Sequence, residues 1–140
     1  MESLDKVNNK GKKYRGDRKV SLKKVYMSMI NSIVGLRKSY STEQSLSIHF
    51  GMSILVLGLG IFFKINRYEW IFSILLMGLI VCIELLNTAI EANVDLATDK
   101  VHPLARNAKD IGSAATFMMS VFALIGEILL FYPYILELFR

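Results

Sequence analysis

Between Ser21 and Tyr40, apolar residues recur at Leu22, Val25, Tyr26, Met29, Ile30, Ile33, Val34 and Leu36. Spacings of three and four place them on one helical stripe, with Lys23, Lys24, Arg37 and Lys38 among the polar positions. The pattern predicts a helix over 21–40 lying on a membrane surface. Three longer apolar segments follow, at about 46–65, 69–96 and 111–131. Each meets the ~20 residues a helix needs to cross a ~30 Å hydrocarbon layer. The second, at ~1.5 Å per residue, is on the order of 40 Å long, so one of its ends must protrude. Lys64-Ile65-Asn66-Arg67-Tyr68 separates the first two segments, the polar stretch Ala97 to Asp110 separates the last two, and Pro133 is expected to end the third. The predicted fold class is an all-α membrane protein with one amphipathic surface helix and three transmembrane helices.

Composition supports that class. The chain has 140 residues, 53% of them hydrophobic, with a mean hydropathy of +0.40, which is too greasy for a water-soluble globule. Its net charge of +5 is unevenly placed: residues 1–40 hold eleven of the seventeen Lys and Arg against three acids. Residues 1–20 contain no apolar run of signal-peptide length and are expected to be a retained, disordered basic tail ahead of a domain at 21–140. Anionic lipid headgroups suit this tail better than nucleic acid. The positive-inside rule puts the N-terminus in the cytoplasm, the 64–68 loop outside and residues 97–110 back on the cytoplasmic side. Cys82 is the one cysteine, which excludes an intramolecular disulfide, and its apolar surroundings read as those of a small buried hydrophobe. No Walker-type glycine loop, GxGxxG or internal repeat is present.

The informative departure from greasiness is Glu84, Asn87, Glu91 and Asp95 in CIELLNTAIEANVDL. At ~100° per residue the four fall within about 80° of one another, forming a polar strip on an apolar helix. An acid at membrane depth costs ~2.5 kcal/mol or more, so such residues mark function more often than packing. Glu84 lies deepest, in surroundings that suit a general base. Glu91, nearer the interface, suits a carboxylate that holds Mg²⁺ together with substrate phosphates. Glu43, just before the first span, is a candidate second ligand or an acid complementing a helix dipole, with Ser41 or Thr42 as the cap. The stretch VHPLARNAKDIGSAA supplies Arg106 and Lys109 for phosphate, with Asp110 and small residues expected at the start of the third helix. Gly112 to Ala115 also read as close-packing residues.

These residues, ELLNTAIEANVDL followed by HPLARNAKDIGSAA, resemble the small integral-membrane lipid kinases of bacteria, the prokaryotic diacylglycerol kinase and undecaprenol kinase family. The resemblance covers roughly Gly35 to Phe131. It implies ATP-dependent phosphorylation of a lipid alcohol by a homotrimer, a nine-helix bundle in the bacterial inner (cytoplasmic) membrane. Carried over by position, Glu84 matches the catalytic base, and Glu43 and Glu91 match the carboxylates that bind Mg²⁺ with ATP. His102, Lys109 and Asp110 match nucleotide-side positions. Asn87 and Asp95 match active-site support, and Arg37 and Ser113 match positions near the lipid. The family usually carries an aromatic and then a basic residue before the first-span histidine, where this chain reads Leu46-Ser47-Ile48-His49. Glu127 matches no functional position and reads as a snorkelling or interhelical carboxylate.

The stretch NTAIEANVDLATDKVHPLA resembles the undecaprenol branch more than the diacylglycerol branch, implying undecaprenyl phosphate as product. The alternatives are a diacylglycerol kinase making phosphatidic acid and, from another class, a non-enzymatic proton-relay or scaffold subunit using the same acids.

Overall fold

The computed structural model describes residues 21–98 and 100–140, so the expected disorder of residues 1–20 concerns a segment outside the described residues. Four helices make up the described chain: α1 (Leu22–Thr42), α2 (Gln44–Phe63), α3 (Arg67–Ala97) and α4 (Pro103–Leu138). The last three are long and apolar enough to cross a membrane. The chain divides into two compact units at Val34 and Gly35. In the first, Leu22, Tyr26, Met29 and Ile33 of α1 are all exposed. The second contains the end of α1 and the three spanning helices.

Local chemistry sets each helix end. Ser41 Oγ donates to Lys38 O at 2.7 Å, and Thr42 Oγ1 donates to Lys38 O and Ser39 O, both at 3.2 Å. Both hydroxyls therefore close α1, and neither caps α2. The expected first span extends to Ile65, but α2 stops at Phe63 because Lys64 turns left-handed, at φ 53 and ψ 45. Ile65 N–H then reaches back to Gly60 O at 3.1 Å, closing the helix end while its side chain folds inward, 6% exposed. Asn66 starts α3 with a capping box: Oδ1 accepts from Tyr68 N–H (2.8 Å) and Glu69 N–H (3.1 Å), and Asn66 N–H donates to Glu69 Oε2 (2.7 Å).

Helix α4 departs most from the pattern-based reading. It begins at Pro103, whose missing N–H costs nothing in the first turn, and His102 caps it by accepting from Leu104 N–H at 3.2 Å. Most of the polar stretch 97–110 is thus helical, and Lys109, Asp110 and Gly112 lie about two turns inside the helix rather than at its start. Pro133 does not end α4 either, since the helix runs on to Leu138. Tertiary contacts hold the turns around it. Tyr134 OH donates to Glu69 Oε2 at 2.6 Å, and Phe63 packs against the rings of Phe131 (6.0 Å) and Tyr134 (5.7 Å). Two such anchors offset the one helical hydrogen bond that proline lacks.

The protein core sits at this end, where Val56, Ile65 and Phe131 pack with Trp70, Leu59 and Met77. Close approach of α3 and α4 depends on Gly126, where a Cβ would stand 2.7 Å from Leu76 Cδ1. Most other large apolar side chains face outward, as helices in lipid do. Cys82 is among them: it is exposed, in line with exposed Leu79 and Leu86 on the outward face of α3, and not buried as its neighbours in sequence suggest. Glu127 is interhelical, with Oε2 accepting from the fully buried Ser73 hydroxyl at 3.0 Å.

Asn66→Ala removes the side-chain half of the capping box at the α2–α3 turn. The expected loss is about 1 kcal/mol, read as a lower midpoint of thermal unfolding in detergent micelles, with helical content at low temperature unchanged.

Candidate functional site

Glu84 is the one carboxylate of the described residues that is buried outright, at 4% exposure. It lies midway along α3 where α2 crosses, and Ser45 Oγ of α2 donates to its Oε1. Its Oε2 has no partner. One carboxylate oxygen is thus held by a hydroxyl and the other is buried without a hydrogen-bond partner. The helix around it is sealed locally, for Thr88 Oγ1 donates back to Glu84 O at 3.1 Å.

Glu84 opens onto a polar cavity of about 350 Å³ between three helices. From α2 come Glu43, Ser45 and His49, from α3 Glu84, Asn87 and Glu91, and from α4 Ser113, Thr116 and Ser120. Glu43 is the N-cap residue of α2, with extended backbone (φ −107, ψ 113) and no side-chain capping bond. Its carboxylate makes no capping bond and lines the cavity, at a helix N-terminus where its charge also complements the dipole. Asn87 is tied to one other predicted position, since its Nδ2 donates to Glu91 Oε1 at 3.1 Å while its buried Oδ1 has no partner. Gly112, buried on α4, makes room for that amide: a Cβ there would collide with Asn87 Oδ1.

Five predicted residues thus share one cavity: Glu43, Glu84, Asn87, Glu91 and Ser113. The others lie outside it. Asp95 and Lys109 pair across α3 and α4 at 2.5 Å, near the ends that overshoot the apolar stretch. Asp110 faces Arg106 one turn away at 3.7 Å on the exposed side of α4. His102 is engaged through Nδ1 as a helix cap, and Arg37 is exposed on α1.

The sequence reading missed Ser45, His49, Thr116 and Ser120 as lining residues. A signal was available. Ser45, His49 and Ser53 repeat at intervals of four and give α2 its own polar line, and Thr116 and Ser120 do the same for α4.

The donor set fits a hard divalent cation. Two carboxylates, Glu43 and Glu91, are hard ligands on an open cavity, and Mg²⁺ is commonly held by one or two carboxylates plus substrate phosphates. Among the described residues no group of three or more His, Cys, Asp or Glu could hold a metal without such help.

Comparison with known proteins gives a consistent picture. The family model for prokaryotic diacylglycerol kinase matches residues 30–131. Undecaprenol kinase of Bacillus subtilis (strain 168) is 36% identical over 117 residues, covering 84% of this chain and 95% of that protein. Diacylglycerol kinase of Pseudomonas aeruginosa is 32% identical over 97 residues, 69% of this chain and 79% of that protein. The diacylglycerol kinase of Escherichia coli (strain K12) is 30% identical over 91 residues, 65% of this chain and 75% of that protein.

Gly112→Ala should overpack the α3–α4 contact at Asn87 and destabilise by about 1–3 kcal/mol. Adding Asn87→Ala should recover most of that loss. Thermal unfolding of the two single variants and the double variant checks the coupling, and strictly additive losses would refute it.

Proposed function

The chain belongs to the prokaryotic diacylglycerol kinase family and is a membrane lipid kinase; on that premise we propose that it transfers the γ-phosphoryl group of ATP to undecaprenol, making undecaprenyl phosphate. The observation that carries the reading is Glu84, buried at the back of a cavity it shares with Glu43 and Glu91. The undecaprenol assignment rests on the Bacillus subtilis relative, a kinase of that name that this chain spans almost end to end. Diacylglycerol, the acceptor in the names of the other relatives, is the second reading.

In the proposed mechanism the alcohol arrives from the bilayer and keeps its hydrocarbon there, while its hydroxyl enters the polar cavity. Glu84 Oε2 takes the hydroxyl proton as the new O–P bond forms and ADP departs. Ser45 fixes the carboxylate through Oε1, so the free oxygen is oriented before the substrate arrives. Glu43 and Glu91 would hold Mg²⁺, which when bound offsets the negative charge of the polyphosphate. Asn87 fixes the Glu91 carboxylate, and Ser113 lines the same wall. Lys109 supplies the cation on the nucleotide side, held by Asp95, with Asp110 and His102 on the same helix and Arg37 near the entering lipid. Positioning and electrostatics account for the chemistry in this scheme.

Two further elements belong to the proposal. The basic N-terminal region keeps that end in the cytoplasm of a bacterial inner membrane, where ATP is available. Three copies form a homotrimer, since three helices leave the open side of an acid-lined cavity facing lipid and a larger bundle covers it. Family membership leaves no need for a non-enzymatic relay or scaffold.

Glu84→Gln should lower phosphorylation by 10³-fold or more while leaving expression and unfolding temperature close to wild type. Retained activity would remove Glu84 as the base. Purified protein given radiolabelled ATP and each alcohol should label undecaprenol in preference to diacylglycerol; exclusive labelling of diacylglycerol would overturn the substrate assignment.

A further inference from the structure

Below the polar cavity lies a second, apolar one of about 240 Å³. Its walls include Met52 and Val56 of α2, Met77 and Ile80 of α3, and Ala123 and Leu124 of α4. The two cavities share His49 and Ser120, so these side chains form a neck between them. Glu127 lines the far end, tied to Ser73. Met52 and Leu124 are half exposed at its rim, so it opens sideways at the depth of the spanning segments.

We propose that this cavity is the slot for the first part of the acceptor's hydrocarbon chain, with His49 and Ser120 as the neck through which the hydroxyl reaches Glu84. The inference rests on the lipid-alcohol reading above and sharpens its specificity. A 150 Å³ apolar cavity accommodates benzene, so on that scale about 240 Å³ holds roughly ten carbons, about two isoprene units. The rest of a long chain leaves through the open rim into the bilayer.

The wall chemistry selects the kind of alcohol. In a polyprenol the hydroxyl carbon leads straight into hydrocarbon, whereas in diacylglycerol two ester groups stand next to it. Each ester carbonyl entering the slot needs a hydrogen-bond donor. Ser53 Oγ already donates to His49 O at 2.8 Å, and Ser120 Oγ donates to Thr116 O at 2.9 Å. Neither hydroxyl hydrogen is free for an ester, which leaves the His49 ring N–H at the neck to serve two ester carbonyls, and a buried carbonyl without a donor is penalised. The slot therefore favours an alcohol with an unbroken apolar chain behind its hydroxyl.

The test uses the full-length protein in lipid nanodiscs with three probe alcohols: prenol (five carbons), farnesol (fifteen carbons) and 1,2-dioctanoylglycerol. Wild type should show at least a tenfold gain in kcat/KM from prenol to farnesol. Ala123→Phe fills the slot and should cut that gain below twofold, with the KM for MgATP unchanged. A gain that survives Ala123→Phe overturns the slot while leaving the kinase reading intact. Exclusive turnover of dioctanoylglycerol by wild type overturns the polyprenol reading beneath it. A second measurement needs no variant: a farnesol analogue with a diazirine on its second isoprene unit should photolabel Met52, Met77 or Ala123. Label confined to the outward faces of the helices, or a benzophenone residue at position 123 that crosslinks one chain to another, contradicts the proposal.

Discussion

A carboxylate between apolar helices survives only if the protein itself solvates it, and the hydrogen bond from Ser45 to Glu84 is where this chain does so. The bond spans α2 and α3, so the catalytic candidate and the interhelical contact are one feature. It fixes the register at which α2 crosses α3, and that register brings Glu43 to the cavity containing Glu91. Because only one oxygen of Glu84 is satisfied, the site keeps an unmet hydrogen-bonding demand that a substrate hydroxyl can answer.

Helix length makes such a site reachable from both phases. At ~1.5 Å per residue, the 31 residues of α3 and 36 of α4 overshoot a ~30 Å hydrocarbon layer. The Asp95–Lys109 and Arg106–Asp110 pairs lie toward the C-terminal end of α3 and the N-terminal end of α4, while Glu84 is buried between helices. A graded column results: charged pairs, then the acid-lined cavity, then the His49–Ser120 neck and the apolar cavity. At the opposite end the Phe63, Phe131 and Tyr134 cluster and the Asn66 capping box anchor the three helices. Aromatic packing therefore sits away from the acid-lined cavity.

Much of this was legible in the sequence, because periodicity and segment length are strong signals. The helix over 22–42, the three long apolar helices and the strip of Glu84, Asn87 and Glu91 all follow from spacing alone. What escaped has a common physical cause: it depends on contacts between distant segments. Pro133 reads as a helix end until Tyr134 is seen bonded to Glu69, 65 positions away. Residues 97–110 read as a loop because they are polar, yet Pro103 and the His102 cap are good starting chemistry for a helix. Glu43 reads equally as a ligand or as an acid complementing a helix dipole, and only the fold shows its side chain lining the cavity with no capping bond. Ser45, a small residue ahead of a greasy run, carries no sequence weight until its partner Glu84 is known.

Membrane-reconstituted protein treated in parallel with a lipid-soluble and a water-soluble carbodiimide tests the central claim most directly, with modified carboxyls mapped by mass spectrometry. If Glu84 is sheltered between helices at the edge of the apolar layer, the lipid-soluble reagent modifies it and the water-soluble one does not, while Asp95 and Asp110 react with the latter. Equal modification of Glu84, Asp95 and Asp110 by the water-soluble reagent would show the strip bathed in bulk solvent and contradict the account.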